Sequence, residues 1–138
     1  MSTQNSTIQF LNFQVKESHI VFERLGNYSF EINFTPRGTV NTSLNQFVLE
    51  LKVNIKDVEN AFHINLTIEA VFSYPNDANI EEYKNSYFIL NAPAIIFPYI
   101  RAYISSLTAL SGMPTLILPT LNLSQLGETL KSNIEVKE

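Results

Sequence analysis

Cysteine is absent from the 138 residues, which removes disulfides, thiolate metal sites and cysteine nucleophiles and fits a reducing compartment. Cytoplasm is the expected location. Charge is missing from one long stretch: from Asn85 through Gly127 the only charged side chain is Arg101. Basic residues are few, 9 against 13 acidic ones, and they are dispersed, so no phosphate-binding surface forms and no nucleic-acid partner is expected. Catalytic signatures are lacking too. There is no Gly-rich phosphate loop, nucleophile elbow or HExxH motif, and the obvious acidic pair, Glu81-Glu82, falls in a polar connection. His19 and His63 lie far apart in sequence with no acidic cluster at ligand spacing. Neither a metal, a cofactor nor enzymatic activity is expected.

Two membrane-directed readings are also set aside. The opening MSTQNSTIQF lacks the basic-then-apolar order of a secretory signal, its first following basic residue being Lys16. Ala92 to Leu118 is apolar, but Arg101, Ser105, Ser106, Thr108, Ser111, Gly112 and Pro114 keep it below the ~18 uninterrupted apolar residues of a spanning helix. So much apolar surface must then be covered by a core, another subunit or a client.

The first half alternates. Phe47, Leu49, Leu51, Val53 and Ile55 face one way while Glu50, Lys52, Asn54 and Lys56 face the other, the pattern of a half-buried strand. Phe62, Ile64, Leu66, Ile68, Ala70 and Phe72 repeat it after the polar Asp57–Asn60 turn, which predicts a hairpin. Upstream, Tyr28, Phe30, Ile32 and Phe34 alternate until Pro36 and Gly38 interrupt the pattern. Ile8 and Phe10, then Phe13 and Val15, then Ile20 and Phe22 change phase twice, as a long strand with bulges would. The expected fold is α+β, a four-stranded antiparallel sheet followed by a crossover loop, a long helix and a short C-terminal helix.

Within one domain spanning 1–138, the sheet is placed at 8–74, the polar crossover at 75–86, the helical part at 87–134 and a frayed tail at 135–138. Ile95, Ile96, Tyr99, Ala102, Tyr103, Leu107 and Leu110 follow helical spacing, with Asn91 as N-cap, Gly112 as stop and Pro98 as a kink or a start. Gly112 to Asn122 is an extended apolar linker, and Ser124 caps a last helix carrying Leu126 and Leu130. Arg101, alone on an apolar helix, is assigned to a structural pair with a glutamate or a helix end in preference to a client carboxylate.

The blocks Asn91-Ala92-Pro93-Ala94-Ile95-Ile96-Phe97-Pro98-Tyr99-Ile100-Arg101, Gly112-Met113-Pro114-Thr115-Leu116 and Pro119-Thr120-Leu121-Asn122-Leu123 resemble the signature of the SecB family of export chaperones. The likeness extends to Ile20-Val21-Phe22-Glu23 and Phe34-Thr35-Pro36 and covers nearly the whole chain. It implies a homotetramer, a dimer of dimers with the long helices between sheets, that binds unfolded preproteins without ATP hydrolysis. Phe30, Phe34, Tyr74, Tyr87, Phe88 and Tyr99 are the candidate client contacts, and Ile20, Phe22, Tyr103 and Leu107 the candidate oligomer contacts.

Docking on the SecA motor ATPase, which the resemblance implies, would use an acidic sheet surface. Glu23 and Glu69 stand near it, whereas His19 and Asn65 occupy places where acidic groups are expected, and the short C-terminal tail contains both Lys131 and Lys137. Two other readings stay open: a SecB-like chaperone dedicated to one partner such as an antitoxin, and a non-chaperone oligomeric assembly protein.

Overall fold

A computed structural model describes residues 8–138. The opening seven residues, on which the expectation about a secretory signal partly rests, lie outside the described residues. The chain runs β1 (Gln9–Phe22), β2 (Phe30–Asn41), β3 (Gln46–Asp57), β4 (Phe62–Ser73), α1 (Ile80–Lys84), α2 (Tyr87–Leu110), α3 (Ser124–Lys131) and β5 (Ile134–Lys137). Strand order across the sheet is β1-β4-β3-β2-β5. One face is roofed by α2, and there Phe47, Leu49, Leu51, Val53 and Ile55 of β3 meet Ile64, Ile68 and Phe72 of β4, Ile96, Ile100 and Ile104 of α2, all nearly inaccessible to water.

β1 settles its phase changes with register shifts between Phe10 and Asn12 and between Val15 and Glu17. Each inserts a residue and restores the apolar side chains to the helix-covered face, so Phe10, Phe13, Val15, Ile20 and Phe22 all pack against the core. β2 continues through Pro36 and Gly38 instead of stopping there. Proline is tolerated because its missing N–H falls on the side away from β3. Gly38 is required by the ring beneath it: a Cβ would stand 2.7 Å from Phe47 Cε1.

The turn between β3 and β4 is organised by Asp57. Its carboxylate accepts from the backbone N–H groups of Ala61 (2.9 Å), Glu59 (3.1 Å) and Ser29 (3.1 Å). These bonds, the one from Ala61 foremost, hold the carboxyl below its ordinary range against the opposing effect of burial. A depressed folded-state value contributes stability that is complete above the unfolded value of about 3.9 and is lost as pH falls through the folded one. The stability difference between wild type and Asp57→Asn, measured by urea denaturation, should therefore be full at pH 7 and shrink progressively below pH 4. A difference independent of pH would show that the charge is not what the turn uses.

Four expectations are corrected. The crossover contains α1, capped by Asn79, whose Oδ1 accepts from Glu82 N at 3.1 Å, and it is anchored by buried Tyr74 and Tyr83. α2 starts at Tyr87, so Asn91 lies inside it and both Pro93 and Pro98 are helical. Ser124 is the first residue of α3 and not its cap; its N–H donates to Asn122 Oδ1 at 3.0 Å. The tail is not frayed: β5 pairs in parallel with Gly38 to Asn41 of β2 and makes the sheet five-stranded.

α2 has the length and apolarity of a membrane-crossing helix, yet Ile89, Ala92, Ile96, Ile100 and Ile104 on one of its faces are buried in the core. It ends at Gly112, φ +83°, where Met113 N donates to Thr108 O at 3.1 Å in a Schellman closure. The following strap turns back along the helix. Arg101 Nε donates to Leu118 O (2.9 Å), Ser105 Oγ donates to Leu116 O (3.1 Å), and Thr108 Oγ1 accepts from Leu116 N (2.9 Å). Arg101 is thus structural, as expected, but its partner is a strap carbonyl, with the guanidinium 5.5 Å from the centre of the Phe97 ring. Met113, Leu116 and Leu118 are buried by the same turn.

Candidate functional site

The first half of β2 is, with β1, a part of the sheet whose helix-bearing face is only partly covered. Phe30, Ile32 and Phe34 point to the helix-bearing face, but they are only half-buried, whereas the matching residues of β3 are sealed. Gly38 N donates to Asn133 O at 3.0 Å and Thr42 N to Lys137 O at 2.9 Å, so even-numbered residues of β2 turn their backbone groups away from β3. Strand alternation gives Phe30, Ile32 and Phe34 the same direction. Among the described residues no strand pairs with that part of the edge.

Alongside it lies a cavity of about 320 Å³ between Ile32 and Phe34 of β2, Leu121 and Leu123 of the strap, and Leu126 and Thr129 of α3. α3 reaches this position through a close crossing on α2. A Cβ on Gly127 would stand 2.6 Å from Ile89 O, the carbonyl whose helical partner would have been the N–H that Pro93 lacks. The groove therefore combines apolar walls with a rank of outward-facing backbone donors and acceptors. Such a surface can take an extended peptide with little regard to its sequence.

The six candidate client residues do not converge. Phe30 and Phe34 share the face of β2 next to the groove. Tyr74 and Phe88 are buried, and Phe88 stacks on Phe47 with ring centres 4.2 Å apart and planes within 5°. Tyr87 is half-buried at the start of α2, edge-on to Tyr83 at 4.7 Å, and Tyr83 meets Phe88 at 5.5 Å. Burial raises the hydroxyl pKa of both Tyr74 and Tyr83. Tyr99 is exposed on the opposite flank, over Phe10 (5.1 Å) and Phe13 (5.4 Å) of β1. Ile32, Leu121, Leu123 and Leu126 line the groove without being among the six. Ile32 sits between Phe30 and Phe34 in the alternating strand, and that position is the signal the sequence offers for it.

Of the candidate oligomer contacts, Ile20 and Phe22 end β1, while Tyr103 and Leu107 lie on the second half of α2; all four are half-buried. Tyr103 ties the two elements together through its hydroxyl, 2.7 Å from Ser18 Oγ. Glu23 and Glu69 are not neighbours. Glu23 follows the end of β1, with its N–H on Ala61 O, whereas Glu69 lies seven residues up β4 from Phe62, roughly 23 Å along the strand.

The outer sheet face is mixed in charge. Strand register sets Glu69 beside Glu50, Glu50 bonds Arg37 at 3.2 Å, and Lys52 and Lys56 stand among Glu17, Glu31 and Glu50. His19 and His63, distant in sequence, bring their rings to 5.8 Å on this face. Among the described residues no group of three or more His, Cys, Asp or Glu could hold a metal.

Comparison with known proteins supplies the context for this geometry. The family model described as preprotein translocase subunit SecB matches residues 2–132. Protein-export protein SecB of Anaplasma phagocytophilum (strain HZ) is 28% identical over 137 residues, covering 88% of this chain and 86% of that protein. Its counterpart in Anaplasma marginale (strain Florida) is 33% identical over 89 residues, covering 59% of this chain and 50% of that protein. Among solved structures, the SecB-like chaperone of Mycobacterium tuberculosis in complex with a ChAD peptide from the HigA1 antitoxin superposes with a TM-score of 0.72 at 19% identity, covering 84% of this chain and 88% of that one. A Streptococcus agalactiae protein of unknown function superposes at 0.51 with 14% identity. At those identities the shared feature is the α+β fold.

Proposed function

The chain belongs to the SecB family of export chaperones, and from that premise we propose that it is an ATP-independent holdase of the cytoplasm that binds unfolded preproteins and keeps them export-competent. The family is one of chaperones and not of enzymes. The observation that carries the reading is the groove beside β2, where apolar side chains of Ile32, Phe34, Leu121 and Leu123 adjoin an open strand edge. An unfolded client buries its own apolar side chains there and adds backbone hydrogen bonds. Phe30, Phe34, Tyr87 and Tyr99 remain the proposed aromatic contacts; Tyr74 and Phe88 serve the core. Each contact is weak, so a client is held by wrapping over the sites of several subunits.

A homotetramer supplies those subunits. β1 is a fourteen-residue edge strand with no partner on its outer side among the described residues, and such edges are ordinarily covered. The outward side of α2 carries Leu90, Ala94, Pro98, Ala102, Ser106 and Leu110, exposed and uncharged. Pairing through β1 and packing through α2, with Ile20, Phe22, Tyr103 and Leu107 near the junction, covers both.

A second reading is a chaperone dedicated to one partner, such as an antitoxin. It is favoured by the mixed charge of the outer sheet face, which offers a SecA motor no acidic field, and by the antitoxin peptide bound to the Mycobacterium tuberculosis neighbour. Static light scattering on a diluted unfolded preprotein separates these from an assembly protein without chaperone activity. Stoichiometric tetramer is expected to suppress aggregation, with the oligomer mass read on the same sample. A monomer, or a tetramer without effect on any client, overturns the holdase reading. Binding to SecA that weakens with salt supports export delivery, and no binding at low salt leaves the dedicated chaperone ahead.

A further inference from the structure

We infer that β5 is an internal placeholder on the client edge of β2, a strand that an incoming extended segment displaces; this rests on the client-binding reading above. The edge of β2 has two parts. Phe30, Ile32 and Phe34 present outward backbone groups beside the groove, and Gly38, Val40 and Thr42 present the same groups from four residues beyond Phe34, where β5 occupies them. Pro36, which has no N–H, falls on the same outward side and separates the two parts. A client strand that starts in the groove and continues along β2 loses one hydrogen bond at Pro36 and then meets β5.

β5 is built to yield. It has four residues and pairs in parallel, the weaker arrangement per residue. Ile134 is half-buried over Gly38, while Glu135, Val136 and Lys137 are exposed, and the Glu135–Lys137 ion pair at 3.6 Å lies in water. Its alternation of Ile134 and Val136 with Glu135 and Lys137 is also what an extended apolar client would bring to this edge. The occupant and its competitor offer the same backbone.

Asn133 and Lys137 accept from β2, so alternation places Glu135 with its N–H toward β2 as well. Glu135→Pro therefore removes that donor at an exposed position and leaves chain length unchanged. This variant, and a chain ending at Asn133, are each expected to bind a fluorescent, extended apolar peptide about tenfold more tightly than wild type, because fewer edge bonds must be exchanged.

Amide hydrogen exchange on the wild type supplies a second readout: on peptide binding, Glu135 and Lys137 should lose protection while Gly38 and Val40 keep theirs. If the shortened chain does not fold, Glu135→Pro and the wild-type exchange still decide. Wild-type affinity in Glu135→Pro, or Glu135 and Lys137 of the wild type still protected in its peptide complex, would overturn the placeholder role alone. No binding of any unfolded probe by wild type would sink the chaperone reading and this inference with it.

Discussion

Phe88→Ala is expected to lower the free energy of unfolding by about 3–5 kcal/mol, the range for truncating a buried phenylalanine. The ring has no exposed surface, stacks on Phe47, and is flanked by Tyr74 at 5.7 Å and Tyr83 at 5.5 Å. Phe47 in turn lies against Gly38, so the cavity would open beside the ring that supports β2. Urea denaturation at one fixed protein concentration is the measurement, because the proposed assembly would add concentration-dependent stability. The contrasting variant is Phe34→Ala. That side chain is only half-buried, so its truncation should cost less in stability and more in affinity for an unfolded client. Should Phe88→Ala leave the denaturation midpoint in place and weaken client binding, the ring would belong to the client surface and its assignment to the core would fall.

These two phenylalanines mark the limit of what the sequence discloses. Alternation located both strands of the hairpin and, through two changes of phase, even the bulges of β1, because a strand with one buried face must keep its apolar residues in register. It could not separate core from groove. Phe34 and Val53 point to the same side of the sheet in opposed positions, and only the roof distinguishes them: α2 seals β3 and leaves the first half of β2 open. That difference is a property of helix placement and has no local signal.

The burial of Phe88 is hidden in the sequence for a related reason. It follows a polar connection in the sequence, yet α1 and the buried Tyr83 fold that connection onto the sheet. Five residues of α1 are too few to display a helical period. Ser86 opens α2 without a side-chain cap bond, so its start carries no capping signature, whereas Asn91 is of the right type but already lies within the helix. β5, with three exposed residues, exists because a neighbouring edge is free to receive it, which is a non-local condition.

In the proposed homotetramer, Ala102→Arg is expected to leave dimers without unfolding the subunit, with the mass read by light scattering or sedimentation halved at micromolar concentration. Residues 90, 94, 98, 102, 106 and 110 recur every fourth position, are exposed, and are small over their middle four, Ala94, Pro98, Ala102 and Ser106. Such a ridge lets a second helix approach closely. Within a single subunit Ala102 is exposed, and alanine and arginine are both good helix formers, so the substitution should change subunit stability by no more than about 0.5 kcal/mol. In a close-packed helix interface the same guanidinium has neither room nor a partner, since from Asn85 through Gly127 the chain holds no acidic residue to neutralise it. Ala102→Ser keeps the volume small and should retain the tetramer. An unchanged mass for Ala102→Arg would place the assembly on another surface. With dimers in hand, client binding can be measured again: a groove formed within each subunit survives the loss of the helix interface, whereas wrapping over several subunits does not. Affinity for a short extended peptide should therefore hold while suppression of aggregation by a full-length client declines.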